Sequence, residues 1–160
     1  MPSRPVIAVL VTVALIVTGL IFLFGSMDDG GATPRLSPGD ADTVARGQEV
    51  YRAECAACHG RNLEGQGDWR QRNADGLLPA PPHNPSGHTW HHPDAVLFEL
   101  TKRGPQAVVG GQYTSAMPAF EGTLSDADIL AALSYIKSTW PAEVRVRHDQ
   151  INDRYDAETR

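Results

Sequence analysis

The chain begins with an uncharged apolar run, Val6 to Phe24, 19 residues long. As a helix rising ~1.5 Å per residue it spans roughly 28 Å, about the thickness of a bilayer's hydrocarbon core. Arg4 and the terminal amine precede it, and Asp28 and Asp29 follow it. That bias puts residues 1–5 in the cytoplasm and everything after Phe24 outside. A cleaved export signal is the competing reading. The run is long for a signal, and Gly25-Ser26-Met27 substitutes poorly for a small-residue cleavage site, so a transmembrane helix over 6–24 is the expectation. On either reading the remainder is exported. Residues 25–41 hold four glycines and two prolines and almost no apolar content. They predict a flexible linker with a reach of roughly 20–25 Å.

From Asp42 to Trp140 the pattern is that of one small domain of helices and ordered loops. Val44, Gly47, Val50 and Tyr51 share a stripe at helical spacing, with Asp42 or Thr43 placed to cap it. Glycine inside a helix is less favourable than alanine by roughly 1 kcal/mol, and on an inner stripe it implies that another backbone comes close. Arg61 to Trp90 is polar, and its Pro79-Ala80-Pro81-Pro82 run excludes helix or central strand. A loop of that length inside a domain is uncommon unless it is functional. Pro93 to Arg103 reads as a helix with an apolar stripe of Val96, Leu97 and Leu100 and two cations at its end. Ser125 caps another, whose buried face is Ile129, Ala132, Leu133, Ile136 and Trp140 before Pro141 stops it. The charged tail, 141–160, keeps Val144, His148 and Ile151 at helical spacing, which predicts a last short helix on the body. The fold class is all-α.

Chemistry enters with Cys55-Ala56-Ala57-Cys58-His59, which contains both cysteines of the chain. C-x-x-C-H is the attachment signal for a c-type haem. Two thiols about one helical turn apart match the two vinyl groups on one haem edge, and the adjacent histidine is the proximal ligand. A thioredoxin-like motif would need a βαβ context, and a zinc site would need about four ligands. A disulfide across so short a loop is geometrically poor. One such motif means one haem. For the sixth coordination position the candidate is Met117, in the loop Ser115-Ala116-Met117-Pro118-Ala119-Phe120. Met1 and Met27 lie outside the domain. His83, His88, His91 and His92 compete with it; bis-histidine ligation or copper binding by that cluster are the alternatives to surface and structural roles.

In these motifs the chain resembles the membrane-anchored class I, mono-haem cytochromes c. The likeness rests on Cys55 to His59, on Met117-Pro118-Ala119-Phe120, and on Leu124 to Ile129 running to Tyr135-Ile136-Lys137. It covers roughly residues 42–140. It implies a small cytochrome c fold around one covalent haem c, attached through Cys55 and Cys58. It also implies that His59 and Met117 are the axial ligands and that Gly47 and Tyr51 meet Tyr135 across two helices. A proline carbonyl bonded to the proximal histidine is implied as well, with Pro81 and Pro82 both candidates. Tyr51, Trp90 and Phe120 are counted with these prolines as cofactor-contacting.

The function implied is electron transfer between membrane redox proteins, such as those of a respiratory chain, on the periplasmic side of a bacterial inner membrane. With both axial positions filled, no small-molecule substrate and no enzymatic activity is expected. A haem-containing subunit of an oxidoreductase complex, or a haem- or metal-handling protein using the histidine cluster, are the alternatives. Beyond residue 24 the chain carries 13 Lys and Arg against 19 acids, and its only lysines are Lys102 and Lys137. That excludes nucleic acid as a partner and argues against docking through a lysine ring.

Overall fold

The residues described, 33–159 of a computed structural model, form helices joined by ordered loops. Helix α1 spans Ala41–Val50. Asp40 caps it, its carboxylate accepting from the Thr43 amide at 2.7 Å, so the cap lies ahead of both expected residues, Asp42 and Thr43. The helix then passes through one π-helical turn, Tyr51–Cys55, into α2, Ala56–His59. A long loop follows, ending in a 3-10 turn at Thr89–His91. Helix α3 is Asp94–Arg103, α4 is Pro105–Val109 and α5 is Asp126–Ser138. Helix α6 is Ala142–Thr159. Among the described residues the only β-pairing is an isolated bridge from Glu121 to Leu124.

The expected capping of α5 is present: the Ser125 hydroxyl accepts from the Asp128 amide at 3.1 Å. Its expected inner face is buried throughout, from Ile129 to Trp140. In α3 the stripe is rotated from the expected one. Leu97 is buried as read, but its buried neighbours are Phe98, Asp94 and Thr101, while Val96 and Leu100 are half-buried. Helix α1 crosses α5 at Gly47. A Cβ there would overlap the Ala131 carbonyl oxygen and stand 3.0 Å from the Tyr135 Cβ. The glycine is therefore the residue that lets two helix backbones touch.

The end of the linker and the charged tail differ from the sequence reading. The expected transmembrane helix, 6–24, the cytoplasmic end and the first part of the linker lie outside the described residues. No helix among those described is long and apolar enough to cross a membrane. The last part of the expected flexible linker, however, is packed. Leu36 is buried, its amide donates to Asp94 Oδ2 at 3.1 Å, and the Ser37 amide donates to Ser134 Oγ at 3.0 Å. Arg35 pairs with Asp156 of α6. The charged tail forms an 18-residue helix rather than a short one, because it has buried polar work to do. Asn152 Oδ1 accepts from the Asp94 amide at 2.7 Å, satisfying an orphan donor of α3. His148 is fully buried, 3.5 Å from Asp94 Oδ1 and 2.9 Å from the His92 carbonyl oxygen. Lys137 completes the cluster, 2.6 Å from Asp149 and 3.9 Å from Asp94.

Two outcomes follow from these contacts. Gly47→Ala should lower stability by about 2–3 kcal/mol in denaturant melts, since the added methyl meets backbone. Burial, with the Lys137 charge beside it, holds His148 below its ordinary value of 6.5. The unfolded chain then binds the extra proton, so this contribution is complete above pH 6.5 and is lost as pH falls below it. His148→Gln should flatten the fall in unfolding free energy between about pH 7 and 5, measured by melts across that range.

Candidate functional site

The π-helical turn carries one residue more than an α-turn, closing with the Ala56 amide on the Tyr51 carbonyl. Such turns recur at functional sites because they re-aim the side chains around them. Here the turn ends on Cys55, half-buried, and Cys58 follows on α2, exposed. Both thiols are free. Burial, aided by the charges of Glu54 and Cys58, pushes the Cys55 thiol up to about 11. It stays protonated and inert near neutral pH until it is linked.

His59 is the last residue of α2 and is buried. Its Nδ1 lies 2.8 Å from the Pro81 carbonyl oxygen. A carbonyl only accepts, so Nδ1 carries the proton and Nε2 keeps its lone pair. Burial lowers the affinity of His59 for a second proton, and the Pro81 bond partly opposes that. The imidazole is therefore a neutral donor oriented from behind, as metal-ligating histidines are. Of the two prolines, Pro81 faces the ring; the buried Pro82 instead turns its carbonyl toward the Thr89 hydroxyl, 3.5 Å away.

The long loop holds Pro81 there by folding back on itself. Gly65 donates to the His59 carbonyl at 2.8 Å and Gln66 to the Ala80 carbonyl at 2.9 Å. The Leu63 carbonyl accepts from the amides of His83 and Asn84. Gly65 has φ +68°, and a Cβ on it would stand 2.5–2.8 Å from the backbone of residues 80–82. Leu63, with φ 67° and its side chain buried, takes the same left-handed region without being glycine. Backbone strain of this kind persists only where the surroundings hold it. Here they hold the Pro81 carbonyl beneath His59.

The remaining residues singled out in the sequence gather around this turn unequally. Tyr51 is fully buried; its ring packs on Tyr135 with centroids 5.5 Å apart, and its hydroxyl donates to the Gly60 carbonyl at 2.8 Å. Phe120 is buried in the same apolar core, and Met117 and Trp90 pack against its edge, half-buried. The Met117 limb lies along the end of α3, with Phe120 donating to the Thr101 carbonyl and Glu121 to the Lys102 carbonyl. Trp90 is turned to its own loop, its ring stacked on His91 at 3.7 Å and its indole N–H donating to the Pro85 carbonyl. His88 and His91 are exposed. No group of three or more His, Cys, Asp or Glu among the described residues is arranged to hold a metal ion. His83, read in the sequence only as one of a cluster, lies against His59 itself, with ring centroids 4.0 Å apart.

Two free thiols and a back-bonded neutral histidine on one turn are the donor set a c-type haem requires. The cytochrome c family profile matches residues 44–140. The chain belongs to the cytochrome c family. Covalent haem c and electron transfer come with that membership, and Cys55 and Cys58 fit the attachment motif. Among curated relatives, the chain is 32% identical to cytochrome c6 of Picosynechococcus sp. over 127 residues, covering 79% of this chain and 90% of that protein. It is 33% identical over 97 residues to the Cbb3-type cytochrome c oxidase subunit CcoP of Azospirillum sp.. That match covers 61% of this chain and 29% of the subunit, so this cytochrome c spans under a third of that relative. No solved structure matches significantly. The matched segment stops short of residues 33–43 and of helix α6.

Burial raises the Tyr51 phenol well above its usual value, so the hydroxyl remains a donor to Gly60 at any working pH. Tyr51→Phe should cost about 1 kcal/mol of stability in melts of the haem-loaded protein, the worth of one buried hydrogen bond.

Proposed function

We propose that this cytochrome c is a single-electron carrier whose haem is held by Cys55 and Cys58 and ligated by His59 and Met117. On this reading residues 6–24 anchor it in a bacterial inner membrane, with the haem domain on the periplasmic side between redox protein partners. The observation that carries the proposal is the geometry of His59: a buried, neutral imidazole whose Nδ1 is engaged by Pro81 and whose Nε2 is left to bind metal. A haem so held supplies reversible one-electron exchange, and a methionine opposite histidine raises its reduction potential.

The chain's own residues do the rest. Pro81 orients the histidine; Tyr51, Phe120 and their core neighbours exclude water; Met117 is presented on a limb pinned to α3. Similarity to cytochrome c6 over 90% of that protein supports an electron carrier. Docking by a lysine patch has no support here, since Lys137 is buried against Asp149 and Lys102 pairs with Asp126 at 2.8 Å. The uncharged run 6–24 supports tethering, which raises the effective concentration at a membrane partner.

Likeness to part of an oxidase subunit favours a second reading, a fixed place in a membrane oxidase complex. Purification from native membranes separates the two: a free carrier comes away alone, and a subunit brings stoichiometric partners. Met117→Ala tests the ligand set. The variant should lose the methionine-to-iron charge-transfer band, fall in reduction potential and bind small exogenous ligands. An unchanged spectrum would sink the assignment of Met117.

A further inference from the structure

The hydrogen bond from His59 to Pro81 restrains the imidazole at one nitrogen, and a single contact of that kind leaves the ring some freedom to rock and turn. A group pressed on the ring's face narrows that freedom further. The structure supplies one. The His83 imidazole stacks on His59 with centroids 4.0 Å apart and planes 25° apart.

His83 is itself fixed on several sides. Its Nδ1 lies 2.8 Å from the Thr89 hydroxyl oxygen, and that hydroxyl faces the Pro82 carbonyl, so the proton between them belongs to Nδ1. Its amide donates to Leu63 and its carbonyl accepts from the Trp140 indole at 2.7 Å. The Tyr51 ring lies nearly perpendicular to it, with centroids 6.1 Å apart. A polar side chain held this way in the wall of an apolar core is more than filler, for leucine would pack there with no polar group to satisfy. What imidazole adds is a rigid flat face.

We infer that His83 is a positioning residue that sets the plane of the proximal ligand His59, with Thr89 holding His83 in place. The inference rests on His59 being a haem ligand. The orientation of an axial imidazole decides which iron d-orbital holds the unpaired electron in ferric low-spin haem. It therefore shows in the spread of the haem methyl proton shifts and in the electron paramagnetic resonance g-values.

The test compares those spectra in the haem-loaded ferric protein and three variants. His83→Ala removes the flat face and should change the order or spread of the methyl shifts. His83→Phe restores a flat face and should return the pattern toward that of the parent. Thr89→Val leaves His83 present but unheld, and should move the pattern in the same direction as His83→Ala by a smaller amount. If His83→Ala yields no haem-loaded protein, Thr89→Val decides the question alone. A methyl-shift pattern and g-values unchanged in the folded variants would overturn the inference. Failure of the ligand reading is distinguishable, because His59→Gly would then leave the low-spin ferric spectrum of the parent in place.

Discussion

The contact on which the proximal side depends is that between the backbones of α1 and α5 at Gly47. A side chain of any size at that position would hold the two helices apart. Because α1 runs without a break through the π-helical turn into α2, its crossing on α5 also sets where Cys55, Cys58 and His59 stand. Tyr51, one turn beyond Gly47 at the start of the π-helical turn, lands on Tyr135, one turn beyond Ala131 along α5. Packing and chemistry are thus coupled through one missing methyl group.

A second constraint lies at the start of α3. Asp94 is a carboxylate buried almost completely, and burying a charge is costly unless it is compensated. Part of the compensation is its place in the first turn of a helix, where negative charge is favoured. The rest comes from the Leu36 amide, before α1, which donates to Oδ2, and from the imidazole of His148 in α6, 3.5 Å from Oδ1. Lys137 of α5 closes the set. The same cluster reaches the end of the functional loop, since His148 meets the His92 carbonyl. His148 also packs edge-on against Trp140, whose indole N–H donates to the His83 carbonyl.

The helices and the attachment motif were legible because their signals are local. Ser125 as a cap, the stripe from Ile129 to Trp140 and the odd Gly47 each state their reason within a few residues. The closing helix is longer than its pattern predicts, since its mean character is polar and its anchors, His148, Asp149, Asn152 and Asp156, are single side chains meeting distant partners. The 33–40 stretch misled for a related reason: glycine and proline signal a linker, while one leucine and two backbone amides fasten it. The choice of Pro81 over Pro82 depends on the two limbs of the long loop pairing through Leu63, Gly65 and Gln66, a register no spacing rule encodes. Nor does any sequence signal mark the π-helical turn or the stacking of His83 on His59. Both are products of tertiary packing.

The salt bridge between Arg35 and Asp156 joins residues near the two ends of the described region. Entry and exit of the polypeptide are therefore neighbours on the surface. A body of this kind can be opened at an exposed loop and closed by a short bridge between its old ends, giving a circular permutant with the same interior. It can also be spliced into the loop of another protein without prising the host's flanking segments apart. Helix α6, by reaching back to Arg35, is what brings the two ends of the described body together.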